Sequence, residues 1–319
     1  MKFFFCLAPL TLSRSSGNVT KVDMNTDSAG NFYMIWSEEK ENSFDVYFSR
    51  SLDYGATWWD PRKMNEENEN SINPCIEVGP TGKIFVARTD YFPDRNDSPY
   101  YDRIWMSTSP DRGDNWESKI LIEDESIDGE PALKSGENGT IYLICGSYEV
   151  IYCFFSTDSG SSWQRNQAGM EVDFWRGQYS SLGIGQNNKL FLIWNTQDSA
   201  GHVGENWIHF VSGTNNGADW NNIQYIDYVC NTNGPRAAMA VNGVNINMLL
   251  SSGASLFLLR STDEGETWSY PEFIPGTEST TARVPLDMVT ANTRKIYMVY
   301  INVTDLSSQT GSIYFIRTQ

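Results

Sequence analysis

The chain has 319 residues, 40% apolar and 13% aromatic, with 23 Lys plus Arg against 40 Asp plus Glu, a formal net charge of −17. Such a composition can bury a large core, which excludes a disordered chain. The field of so acidic a protein repels nucleic acid and anionic membrane surfaces, so neither is an expected partner, and any acidic ligand needs a local cationic pocket.

In chain order, the opening MKFFFCLAPL admits two readings. A lysine before an apolar stretch suggests a secretory leader, though no small-x-small cleavage site follows cleanly. Otherwise residues 5–12 form a strand that closes the last unit of the repeat described next. From residue 31 the chain sets short β-rich runs in pairs: NFYMIW (31–36) with DVYFSR (45–50), KIFVAR (83–88) with RIWMST (103–108), and TIYLIC (140–145) with VIYCFF (150–155). KLFLIW (189–194) with WIHFVS (207–212), NINMLL (245–250) with LFLLR (256–260), and KIYMVY (295–300) with SIYFIR (312–317) continue the series. A further run precedes each pair, as in PCIEV (74–78), PALKS (131–135) and AAMAV (237–241). No stretch has convincing helical periodicity.

Five pairs lead into an octapeptide: SLDYGATW (51–58), SPDRGDNW (109–116), STDSGSSW (156–163), GTNNGADW (213–220) and STDEGETW (261–268). Their acidic position falls at Asp53, Asp111, Asp158, Asn215 and Asp263, at steps of 58, 47, 57 and 48 residues, which divides the chain into six units. The motif explains itself as a tight turn. Its carboxylate accepts from amides ahead of it, its glycine supplies a positive φ, and its tryptophan covers a neighbouring strand, so these five positions are structural. With one strand after each tryptophan, a unit holds four strands. The predicted fold is all-β, a single domain over residues 1–319 forming a six-bladed β-propeller of four-stranded antiparallel blades.

Two histidines, His202 and His209, exclude a three-His metal site and speak against a Ser-His-Asp triad; no metal or cofactor is expected. The five cysteines (Cys6, Cys75, Cys145, Cys153, Cys230) are odd in number and mostly lie in apolar runs, as buried thiols do. Cys145 and Cys153 flank a hairpin and form the one pair for which a disulfide is considered. No apolar run reaches the length of a membrane span.

The repeated Ser-x-Asp-x-Gly-x-x-Trp motif and the strand pattern, above all DVYFSRSLDYGATWWDP (45–61), resemble the sialidase (neuraminidase) superfamily with its Asp boxes. The resemblance spans nearly the whole chain. It implies a metal-independent exo-sialidase with three arginines on the sugar carboxylate, a tyrosine nucleophile activated by a glutamate, and an aspartate acid/base. Glu130 before Pro131 resembles the family's glutamate, and the YSSL stretch at 179–182 its tyrosine motif. The arginine motif that opens the first blade is represented by TKVD (20–23), with Lys21 in the arginine's place and Asp23 in that of a proline.

Strand order gives a second route to the site. In an antiparallel meander the octapeptide turns and the starts of the innermost strands lie at opposite ends. Aligning the inner strands on their apolar alternation places one residue per unit at the rim: Lys21, Asn73, Glu130, Tyr179, Arg236 and Arg283. Lys21, Arg236 and Arg283 form a cationic arc suited to a carboxylate ligand, facing Glu130 and Tyr179. Arg176 and the loop over 89–102, with Asp90, Tyr91, Asp94, Arg95, Tyr100, Tyr101 and Asp102, come second. An acid/base must come from Glu38, Glu39, Asp45, Asp90 or Asp94. The expected activity is exo-hydrolysis of acidic sugars from glycans. The alternatives are a non-catalytic glycan- or protein-binding propeller, with an acidic glycan or other carboxylate as ligand, and an assembly protein. Sequons at Asn18, Asn96, Asn138 and Asn302 bear on function only in a secretory setting, which the sequence leaves open.

Overall fold

The computed structural model describes residues 18–40, 43–67, 69–90, 103–123, 130–147, 150–168, 178–195, 208–226, 236–252, 255–274, 286–290, 296–305 and 310–317. Apart from two three-residue 3-10 turns, all regular structure among them is β-strand.

The first blade runs β1 (Asn18–Thr26), β2 (Phe32–Lys40), β3 (Ser43–Ser51) and β4 (Arg62–Lys63), paired in that order. The second is β5 (Ser71–Val78), β6 (Ile84–Asp90), β7 (Arg103–Ser109) and β8 (Ile120–Glu123), and the third β9 (Ala132–Ser135), β10 (Ile141–Ser147), β11 (Val150–Ser156) and β12 (Gln164–Ala168). In the fourth, β13 (Gln178–Ile184), β14 (Leu190–Asn195) and β15 (Ile208–Thr214) carry an outer strand broken into β16 (Asp219–Trp220) and β17 (Gln224–Ile226). The fifth holds β18 (Arg236–Asn242), β19 (Asn245–Ser252), β20 (Ser255–Ser261) and β21 (Glu272–Phe273). A last sheet has three strands, β22 (Leu286–Thr290), β23 (Ile296–Asp305) and β24 (Thr310–Arg317). Every adjacent pair is antiparallel. The inner strands neighbour one another round a ring, β1 beside β5, then β9, β13, β18 and β22, which returns to β1.

The chain is thus an all-β propeller of four-stranded antiparallel blades, but the expected count of six is corrected: among the described residues five blades are complete and the last sheet is three-stranded. The strand expected to complete it, residues 5–12, lies outside the described residues.

Blades cohere face to face. Tyr33, Ile35, Val46 and Phe48 of the first blade interlock with Ile76, Val78, Ile84 and Val86 of the second, and equivalent clusters join the second to the third and the third to the fourth. Because both faces of a blade are covered, its central strands read as near-continuous apolar runs.

The octapeptide turns add a repeated staple. Ser51 Oγ donates to Asp53 Oδ1 (2.7 Å) and accepts from the Gly55 amide (2.8 Å), while Asp53 also accepts from the Thr57 amide (2.8 Å) and hydroxyl (2.6 Å). Asp111, Asp158 and Asp263 repeat the arrangement. At Asn215 it weakens to an amide contact with Asp219 (3.3 Å). The turns at Gly113, Gly160, Gly217 and Gly265 also lean on the blade before them. Gly113, at φ +90°, lies so close to Phe48 that an added Cβ would stand 2.6 Å from the ring, and Trp116 meets the same ring edge-on at 5.2 Å.

Cys75, Cys145 and Cys153 are buried free thiols. Cys145 lies opposite Tyr152, one position out of register with Cys153, so the two side chains leave their hairpin on opposite faces and no disulfide joins them.

Candidate functional site

The inner strands start at the end of the ring away from the octapeptide turns, and three of them enter through a β-bulge. The register shifts between Val19 and Lys21 in β1, between Ile72 and Cys75 in β5, and between Gln178 and Ser181 in β13. A bulge re-aims a side chain that regular pairing would send into a blade face. Two predicted rim residues, Asn73 and Tyr179, lie in these bulges. Asn73 takes a φ of 50°, a left-handed conformation that asparagine tolerates better than most residues, and the Asn-Pro step at 73–74 is the trace of it in the sequence.

Lys21 follows the first bulge, and its Nζ donates to Glu130 Oε2 at 2.6 Å, the two side chains being 11% and 13% exposed. Glu130 stands two residues ahead of β9, so the pair reaches from the first blade to the third, past β5. Burial pulls the Lys21 pKa down, but the charge and hydrogen bond of Glu130 outweigh it and hold the ammonium above the ordinary lysine value.

Deeper along the axis, polar side chains of one inner strand accept amides of the next. Asp23 Oδ2 takes the Ile76 amide (2.7 Å), Glu77 Oε1 the Ser135 amide (3.0 Å), and Ser181 Oγ the Met239 amide (3.0 Å). Glu77 also accepts from Asn25, and its burial raises its pKa against the pull of Lys134 and Ser135. Sequence reasoning passed over these residues. The available signal was a polar residue recurring inside otherwise apolar inner strands.

The acid/base candidates differ sharply. Asp45 is buried and closed by Lys63 (2.7 Å), Lys40 (2.9 Å) and Asn65 (3.2 Å); burial raises its pKa, but these donors prevail and lower it to about 2. Glu38 is buried, with Oε1 accepting from Trp36 Nε1 (2.7 Å) and Oε2 without a hydrogen-bond partner. Asp90 is buried and accepts from Ser71 Oγ (2.8 Å). Among the described candidates only Glu39 is exposed, and it shares a strand face with Ser37, the cross-strand partner of Lys21, so both carboxyl and ammonium leave the blade on one face. Near Asp90 a further buried cation, unremarked in the sequence, is held by hydroxyls: Arg88 donates to Ser71 (3.2 Å) and Ser107 (3.0 Å) and reaches Glu69 at 3.4 Å.

The structure therefore brings Lys21 and Glu130 together, and sets Asn73 and Tyr179 in bulges on consecutive sides of them. Arg236 opens β18. Arg176, Arg283 and Asp94 lie outside the described residues. Among the described residues no three His, Cys, Asp or Glu side chains are grouped as metal ligands, and no helix is long and apolar enough to cross a membrane.

Neither a family model nor a curated protein matches the sequence. Solved structures do match in fold. The K499G mutant of NanB sialidase from Streptococcus pneumoniae superimposes with a TM-score of 0.70 at 12% identity, over 100% of this chain and 70% of that one. The intramolecular trans-sialidase from Ruminococcus gnavus gives 0.68 at 10% identity, over 100% and 97%. The Penicillium chrysogenum α-L-arabinanase, complexed with arabinobiose, gives 0.72 at 16% identity, over 99% and 98%. These likenesses support the propeller fold.

Proposed function

We propose that the chain is a glycoside hydrolase of the propeller type whose substrate enters the bulged end of the ring. The observation that carries this reading is the ion pair of Lys21 with Glu130 across β5, in a ring where the inner strands β5 and β13 carry Asn73 and Tyr179 in bulges.

Tyr179 is the nucleophile, and Glu130 accepts its phenolic proton as the oxygen attacks the anomeric carbon, because an unassisted phenol with a pKa of about 10 is a poor nucleophile near neutrality. The glycosidic C–O bond breaks as Glu39, the exposed carboxyl on the face of Lys21, protonates the leaving oxygen. Water then attacks the anomeric carbon and gives a proton to Glu39, while the bond from that carbon to the Tyr179 oxygen breaks and Glu130 returns its proton to the phenolate. Sialidase specificity asks further that Lys21, Arg236 and Arg283 meet a sugar carboxylate, with Arg176 nearby. A binding propeller without chemistry is the second reading, favoured by the closure of Asp45 and the burial of Glu38.

Turnover of fluorogenic glycosides, sialosides and α-L-arabinofuranosides among them, tests the proposal. Hydrolysis that Tyr179→Phe abolishes while binding persists supports it. A fully active Tyr179→Phe variant would sink the assignment, and binding of a glycan without turnover transfers the lead to the binding module.

A further inference from the structure

Resting on the glycosidase reading above, we infer that this mouth recognises an uncharged sugar through its hydroxyl groups, with Asn73 as a contact residue, and that Lys21 does not bind a sugar carboxylate. The charge of Lys21 is already spent. Its Nζ lies 2.6 Å from Glu130, both side chains are nearly buried, and Asp23 adds a second carboxylate close enough to act on the ammonium. Among the described residues, the Lys21 ammonium thus acts on two carboxylates of its own chain. A ligand carboxylate could take Lys21 only by breaking its hydrogen bond to Glu130 and competing with the carboxylate already seated on the ammonium. The net charge of −17 opposes the same ligand at long range.

Asn73 supplies what the ion pair lacks. Its inner strand, β5, runs between β1, which carries Lys21, and β9, which Glu130 precedes by two residues. Its backbone holds a φ of 50° in a bulge, an uncommon conformation for a residue with a side chain. The residue is partly exposed, and its carboxamide makes no hydrogen bond among the described residues. A carboxamide offers two donors and an acceptor without charge, which suits adjacent hydroxyls on a sugar ring.

The test is titration calorimetry of the full chain with 3′-sialyllactose, oligogalacturonate, lactose and α-1,5-arabino-oligosaccharide, at low and moderate salt. Binding of an uncharged member, little altered by salt, is expected, with the two acidic sugars weaker by about tenfold or more. Asn73→Gly keeps the left-handed backbone accessible and should lower that affinity by about tenfold at an unchanged melting temperature; Asn73→Asp provides a second, side-chain-sized variant with the same expected loss. Preference for an acidic sugar, abolished by Lys21→Met or by Arg236→Ala, overturns the inference while keeping the glycosidase reading. Unchanged affinity in both Asn73 variants also overturns it. Binding of no sugar by the folded chain overturns the glycosidase reading itself, and this inference with it.

Discussion

Glu38 and Asp45 are cross-strand partners on β2 and β3, yet one carboxylate is closed by two lysines and an asparagine while the other keeps an oxygen to which no described residue hydrogen-bonds. Neighbouring positions of one blade therefore serve opposite ends of the energy balance. Glu38→Gln removes a buried charge and retains the Trp36 contact, so it should leave stability unchanged or raise it by about 1 kcal/mol. Asp45→Asn leaves Lys40 and Lys63 facing each other, and since both are about one-third exposed the loss should be near 1 kcal/mol after solvent screening. Urea unfolding of the two variants checks the order; a larger loss in Glu38→Gln would refute it.

The Lys21 and Glu130 pair predicts strong non-additivity. Glu130→Gln takes the hydrogen-bonded counter-charge from a nearly buried ammonium, and Lys21→Met takes one from the carboxylate, and each should cost roughly 3–5 kcal/mol. The double variant removes both charges and should recover at least about half of the summed loss. A double-mutant cycle by chemical denaturation measures this, and additive losses would show that the two groups do not depend on each other.

Acid should loosen the turns together. Hydrogen bonds from Thr57, Ser162 and Thr267 hold the carboxyls of Asp53, Asp158 and Asp263 at about 2. Their folded-state values lie below the unfolded one, so each contributes stability above pH about 4 and loses it as pH falls toward about 2. The triple Asn variant should therefore melt lower at pH 6 and show a flatter decline between pH about 4 and about 2. Melting temperature against pH reads it directly, and an unchanged acid limb would contradict it.

Two glycines with similar backbones should behave differently. Gly82→Ala, at φ +81° with open space around it, meets backbone strain alone and should cost about 1 kcal/mol. Gly113→Ala, at φ +90°, also drives a methyl into the Phe48 ring and should cost about 3 kcal/mol or more. Equal losses in thermal unfolding would mean that the turn does not staple the first blade to the second.

Much of the fold was legible because its information is local. The Ser-x-Asp-x-Gly-x-x-Trp turn closes its hydrogen bonds within five residues, from Ser51 to Gly55 and from Asp53 to Thr57, and its glycine requirement is visible in one line of sequence. Alternating apolar residues marked the strands, and their order placed Lys21, Asn73 and Glu130 at one end of the ring.

What the sequence by itself determined is the blade, its repeat and the end at which the rim residues gather, since each follows from backbone chemistry over a few neighbouring residues. Tertiary structure decided which side chains meet there. Lys21 and Glu130 lie 109 positions apart and pair because β1, β5 and β9 pack side by side round the axis. The bulges in β1, β5 and β13 likewise arise from register against a neighbouring strand, which no periodicity within one strand records. A cation expected to await a ligand was thereby given a partner from its own chain, because lateral packing put a carboxylate within reach before any ligand arrives.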